Sequence, residues 1–175
     1  MSRTVRLAPL ALLVLIIVAL VWRLATPSDT AVHSRLEGKP VPAFQLAAAL
    51  PAKPGVRSRD LASGRPRLVN IFASWCVPCT AEIKVLLELK EKGVAIDGVA
   101  IRDRPEDLAG FLARNGDPYE RIGMDPQSEV QIALGSSGVP ESFIVDRNGI
   151  ILDQHIGALE QKDVPRILAI LSAAK

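Results

Sequence analysis

Residues 67–79 read Arg-Leu-Val-Asn-Ile-Phe-Ala-Ser-Trp-Cys-Val-Pro-Cys. The first eight form a short apolar, β-branched run, the pattern of a buried strand. Residues 77–92 then place Ile83, Leu86, Leu87 and Leu89 beside Glu82, Lys84, Glu88 and Lys90, the pattern of an amphipathic helix. Cys76 and Cys79 therefore fall at a strand-to-helix junction. There the first sulfur lies beside unpaired backbone N–H groups and the positive end of the helix dipole, both of which favour a thiolate. Lowering a thiol from about 8.5 to about 7 takes roughly 2 kcal/mol of differential stabilisation, within reach of such a terminus. Cys76 is the expected nucleophile and Cys79, one turn further along, the expected resolving thiol.

The pattern continues on both sides of this junction. Gly93 ends the helix, residues 94–101 form a second buried strand, and residues 105–114 a helix opened by Pro105 with acids in its first turn. A short strand over 119–124 and a short helix over 127–134 follow. Strands over 141–147 and 150–156 are joined at Asn148-Gly149, where both residues tolerate positive φ, and a helix over 160–173 closes the chain. Upstream, residues 41–50 are expected as a short strand and Pro51, Pro54 and Gly55 as loop. Together these elements predict an α/β fold with a mixed central sheet and helices on both faces.

Composition narrows the function. Hydrophobic residues make up 49% of the 175 and charged residues 23%, which excludes a disordered chain. Lys and Arg total 21 against 19 Asp and Glu, leaving no electrostatic footprint for nucleic acid. Cys76 and Cys79 are the only cysteines, too few for a disulfide framework. A structural zinc site needs four ligands, and only His33 and His155 could join the cysteines. No metal and no cofactor is expected; the chemistry rests on two sulfurs.

Residues 7–22 (LAPLALLVLIIVALVW) carry no charge and are flanked by Arg3, Arg6 and Arg23. At about 1.5 Å per residue the run covers roughly 24 Å, close to the apolar thickness of a bilayer once its flanks are added. A cleaved signal peptide has a shorter apolar core and a small-residue cleavage site, which Arg23 and Leu24 interrupt here. Residues 1–25 are thus expected to be an uncleaved transmembrane signal anchor, with the more basic N-terminal side in the cytoplasm. Residues 26–39 are a polar tether, and residues 40–175 the globular domain outside the cytoplasm.

Residues 70–79 (NIFASWCVPC), followed at 138–141 by Gly-Val-Pro-Glu, resemble the thioredoxin fold. Glu82, the stretch 116–119 (Gly-Asp-Pro-Tyr) and the hairpin 146–149 (Asp-Arg-Asn-Gly) make the chain most similar to the DsbE/CcmG group of cytochrome c maturation. The resemblance implies a thioredoxin-like domain, single-pass in the bacterial inner membrane and facing the periplasm. It implies a reductant that receives electrons from a membrane thiol-disulfide donor. Its protein substrate would be apocytochrome c, whose haem-attachment cysteines it reduces, or another maturation thiol protein. It also implies a cis Val139–Pro140 peptide facing the cysteines, with Trp75, Val139 and Pro140 as the substrate-binding face, and an acid, Glu141, that tunes the cysteines or relays a proton. Glu82 keeps two readings, as acceptor of the Cys79 proton or as part of the solvated helix face.

Departures from the family pattern carry information. Asn70 stands where thioredoxins hold a buried aspartate, and an amide cannot take a thiol proton, so that role falls to Glu82, Glu141 or a water. Lys84 replaces a kinking proline, which predicts a straighter helix. Ser137 replaces an aromatic ahead of Gly-Val-Pro-Glu, so a substrate contact is missing or replaced. The expected function is thiol-disulfide oxidoreduction in the reductive direction. The alternatives are a general membrane-anchored periplasmic thiol reductase with another client, or a non-catalytic peptide-binding adaptor. An oxidant would want a thiolate stabiliser between the cysteines, and Val77-Pro78 supplies none.

Overall fold

The computed structural model describes residues 3–25 and 36–174, with side chains described over 12–23 and 36–174. The chain divides into two units, residues 1–32 and 33–175. In the first, α1 (Arg3–Ala25) is a 23-residue helix, and its large apolar side chains from Leu12 to Trp22 are all exposed. Among the described residues, no helix is long and apolar enough to cross a membrane. The expected tether lies outside the described residues over 26–35. Residues 36–39, expected as tether, are instead part of the second unit: Gly38 N–H donates to the Ile151 carbonyl at 2.8 Å and the Ile151 amide to the Lys39 carbonyl at 3.0 Å.

In the second unit the elements are α2 (Ser58–Leu61), β1 (Arg67–Phe72), α3 (Val77–Glu91), β2 (Ala95–Ile101), α4 (Pro105–Asn115), β3 (Arg121–Asp125), α5 (Glu129–Ala133), β4 (Glu141–Val145), β5 (Ile151–Ile156) and α6 (Val164–Ala173). They build one five-stranded sheet in the order β3-β2-β1-β4-β5. β1, β2 and β3 run parallel, and β4 and β5 are antiparallel to their neighbours. Every residue of β1, β2 and β4 is buried, so both faces of the sheet's centre are covered, the setting in which strands read as unbroken apolar runs. The topology brings the C-terminal ends of β1, β2, β3 and β5 and the start of β4 to one end of the sheet. Cys76 and Pro140 both lie there.

Four local features differ from expectation. Residues 41–50 make isolated bridges, Gln45 with Arg57 and Ala48 with Gly123, in place of a regular strand. Their amides go to unrelated partners, Val41 to Gly149, Leu46 to Val56 and Ala49 to Ile122, and Pro42 has no N–H to give. The segment instead lies along the edge of β3, which would otherwise be open. At the hairpin only Gly149 takes positive φ, +84°. Asp146 holds the turn by accepting from the amides of Asn148 and Ile150, each at 2.8 Å, and its own amide donates to the Ile150 carbonyl at 2.9 Å, so a longer loop over 147–149 replaces the two-residue turn. The C-terminal helix begins at Val164, after a 3-10 turn over Gln161–Asp163 with a reciprocal Glu160–Asp163 cap. The short helix α2 has too few residues for a periodic signal.

At the opposite end of the sheet from the cysteines, Arg67 and Asp97 form a buried ion pair, with Arg121 at 3.5 Å on the other carboxylate oxygen. Arg67 is fully buried despite its charge. Its position within an apolar strand gave no sign of this partner.

Candidate active site

β1 delivers the chain to the junction, and two contacts from the loop after β2 hold it there. Ser74 donates through both its amide and its hydroxyl to the two carboxylate oxygens of Asp103, each at 2.6 Å. The Trp75 indole N–H donates to the Arg102 carbonyl at 3.2 Å. Arg102 takes φ +45°, a conformation costly for a non-glycine residue, and its Nε donates to Ser128 Oγ at 2.9 Å. Neither Asp103 nor Arg102 was marked by the sequence, because their partners lie 26 to 29 positions away along the chain.

Cys76 is the N-cap of α3: its backbone is extended and its Sγ accepts from the Cys79 amide at 3.2 Å. Pro78 in the first turn removes an amide that would have no helical partner. The two cysteines are joined as a disulfide with Cα atoms 5.3 Å apart. Both sulfur residues are buried, yet Trp75 is 55% and Val77 80% exposed, so the pair sits just beneath an apolar rim. With Lys84 in place of proline, α3 runs unbroken for 15 residues.

Glu82, one turn beyond Cys79 on the same face of α3, is 1% exposed, which overturns the solvated-face reading. Its Oε1 accepts from Asn70 Nδ2 at 3.0 Å and its Oε2 from the Leu159 amide at 3.1 Å. Burial raises its pKa from 4.5 to about 7, the two hydrogen bonds opposing part of the rise. Asn70 also donates to Ser142 Oγ at 3.1 Å and accepts from the Tyr119 hydroxyl at 2.8 Å. Glu141 is buried too, opposite Ile71 in the sheet. Its Oε1 accepts from the amide and hydroxyl of Ser137, at 2.9 and 2.5 Å, and its Oε2 from Gln154 at 2.9 Å. The serine that replaces an aromatic is thus a ligand of this acid. The Val139–Pro140 peptide is cis, and the Pro140 carbonyl accepts from the Gly157 amide at 3.0 Å.

A disulfide-bonded cysteine pair that caps the helix following the central strand of a mixed sheet, with a cis-proline loop at the same sheet end, defines a thioredoxin-fold thiol-disulfide oxidoreductase. Residues 36–171 match the Redoxin family. The thiol:disulfide interchange protein HelX of Rhodobacter capsulatus is 42% identical over 131 residues, 75% of this chain and 74% of that protein. The thiol:disulfide interchange protein DsbE of Escherichia coli K12 is 34% identical over 166 residues, 93% of this chain and 90% of that protein. The crystal structure of a Chlorobium tepidum protein described as a DsbE thiol:disulfide interchange protein shares the fold, with a TM-score of 0.63 at 28% identity over 79% of this chain and 98% of that one. A second crystal structure, of a thioredoxin family thiol:disulfide interchange protein from Chlorobium tepidum TLS, shares the fold with a TM-score of 0.62 at 23% identity over 75% of this chain and 94% of that one. The chain belongs to the Redoxin family, in its DsbE/CcmG group of thiol:disulfide interchange proteins.

Proposed function

We propose that this protein is a membrane-anchored periplasmic dithiol reductant that keeps the haem-attachment cysteines of apocytochrome c reduced. In the reduced protein the Cys76 thiolate attacks one sulfur of the client disulfide. The client S–S bond breaks, a mixed disulfide forms at Cys76, and the client's second sulfur leaves as a thiolate. Cys79 gives its proton to Glu82 and its thiolate attacks Cys76 Sγ, the client's remaining sulfur leaves as a thiolate, and the Cys76–Cys79 disulfide remains; the client becomes a dithiol by taking one proton from water and one returned by Glu82. A membrane dithiol donor restores the reduced pair by the same exchange. The observation that carries this reading is Glu82: a buried carboxyl with pKa about 7 one turn behind Cys79 is matched to accept and return a proton near neutral pH.

Trp75, Val139 and Pro140 form the face against which an extended client peptide lies, the backbone beside Pro140 pairing with it as an added strand. Glu141, tied by Ser137 and Gln154, tunes the cysteines or relays a proton. Residues 1–25 anchor the protein in the inner membrane, and residues 26–35 tether the catalytic domain on the periplasmic side. The likeness to HelX and DsbE and the uncharged run at 7–22 support these assignments.

The Cys76–Cys79 reduction potential tests the direction. A value near or below about −200 mV is expected for a reductant, whereas one near about −120 mV would make the protein an oxidant. A Cys79→Ala variant tests the client. It should trap an oxidised peptide carrying two haem-attachment cysteines in preference to an unrelated disulfide peptide; equal trapping of both would favour a general thiol reductase.

A further inference from the structure

Tyr119 has no part in the exchange steps above, yet many interactions converge on placing its hydroxyl. Lys53 Nζ donates to the Tyr119 carbonyl and pairs with Asp117 at 2.7 Å. Lys90 Nζ donates to the Asp117 carbonyl at 2.8 Å, and the Tyr119 amide to Asp117 Oδ1 at 3.0 Å. The tyrosine ring stacks on Phe72 with centroids 4.5 Å apart. Gly98 makes room for that stack: a Cβ there would come within 2.7 Å of Phe72 and 3.0 Å of Tyr119. The hydroxyl, completely buried, then donates to Asn70 Oδ1.

This contact sets the sense of the amide. With Oδ1 turned to Tyr119, both Asn70 N–H groups point at acceptors, Glu82 Oε1 and Ser142 Oγ. Turning the amide over would set its N–H against the tyrosine O–H and leave a buried hydroxyl hydrogen unpaired, a costly outcome. An N–H facing Glu82 stabilises the carboxylate, the form able to accept a proton, whereas a carbonyl there would favour the protonated acid. We infer that Tyr119 is a positioning residue for the proton step at Cys79, its hydroxyl orienting the Asn70 amide so that Glu82 is met by a donor. This inference rests on the reading of Glu82 as the acceptor of the Cys79 proton. The groups that face Glu82 are Asn70 of β1, the Leu159 amide beyond β5, and through Asn70 the hydroxyls of Tyr119 and Ser142; Asp117 acts on Tyr119 in turn, and among the described residues no cation pairs with Glu82.

The test is a carboxyl-carbon NMR titration of Glu82 in the full-length oxidised protein in detergent micelles, where the cysteines do not titrate. Tyr119→Phe keeps the ring and removes the hydroxyl, and it should raise the Glu82 midpoint by about one pH unit. Asn70→Ala removes the same donor by another route and should move the midpoint the same way. Phe111→Leu, in the same aromatic cluster, should lower the melting temperature and leave the midpoint in place. A midpoint unmoved in Tyr119→Phe would overturn the inference, whether or not Asn70→Ala moves it. The reading of Glu82 itself fails on a different result, a Glu82→Gln variant whose pH profile for client reduction matches the wild type.

Discussion

Glu82 shows how a single side chain acquires its chemistry from its surroundings. In water a glutamate is ionised above about pH 4.5, whereas here burial raises the pKa to about 7. The folded state therefore holds the proton more tightly than the unfolded chain, and the sign of the linkage follows. The contribution to stability is fully present below pH 4.5 and is lost as pH rises to about 7. A difference of that size corresponds to about 3 kcal/mol. Chemical denaturation of the oxidised protein should show stability falling by that order between pH 4.5 and 7, with the fall abolished in Glu82→Gln. The Asn70 amide illustrates a second residue-level lesson. It cannot replace a carboxylate as a base, but it is buried and presents a donor to Glu82, the acid proposed to take over the role.

At the scale of elements, the junction between β1 and α3 depends on a loop that is remote in sequence. Asp103 accepts two bonds from Ser74 and a third from the Arg104 amide at 2.9 Å, so one carboxylate ties the start of α4 to the segment leading into Cys76. Asp103→Ala leaves the Ser74 groups without their acceptor and should cost about 2 kcal/mol, read as a lowered denaturation midpoint. It should also increase exchange at the amides of residues 74–76 and weaken the restraint on Trp75, visible in its fluorescence. The helix α3 itself was legible from residues 77–92, because its apolar spacing is a local signal. Residues 41–50 were not legible, since their apolar character reflects packing along an edge strand through scattered hydrogen bonds rather than a ladder.

At the scale of the whole molecule, the second unit has two differently built ends on one sheet. The disulfide and its two buried acids occupy the end where β1 finishes, and the Arg67–Asp97–Arg121 cluster occupies the end where it starts. Removing one member of a buried pair leaves an uncompensated charge, which typically costs 3–5 kcal/mol. Asp97→Ala should therefore destabilise the protein by about that much, measured by urea denaturation, while the Cys76–Cys79 reduction potential stays at the wild-type value.

By itself the sequence determined the order of strands and helices from β1 onward, the placement of the cysteine pair at a helix start, and the extent of the apolar run at 7–22. Each of these follows from periodicity, capping and hydropathy, which act between residues close together in the chain. The tertiary structure alone decided that Glu82 is buried, that Ser137 serves as a ligand of Glu141, and that Tyr119 reaches Asn70 from 49 positions away. Burial and hydrogen bonding between distant segments exist only once the sheet is assembled, and the proton affinity of a carboxyl group depends on both.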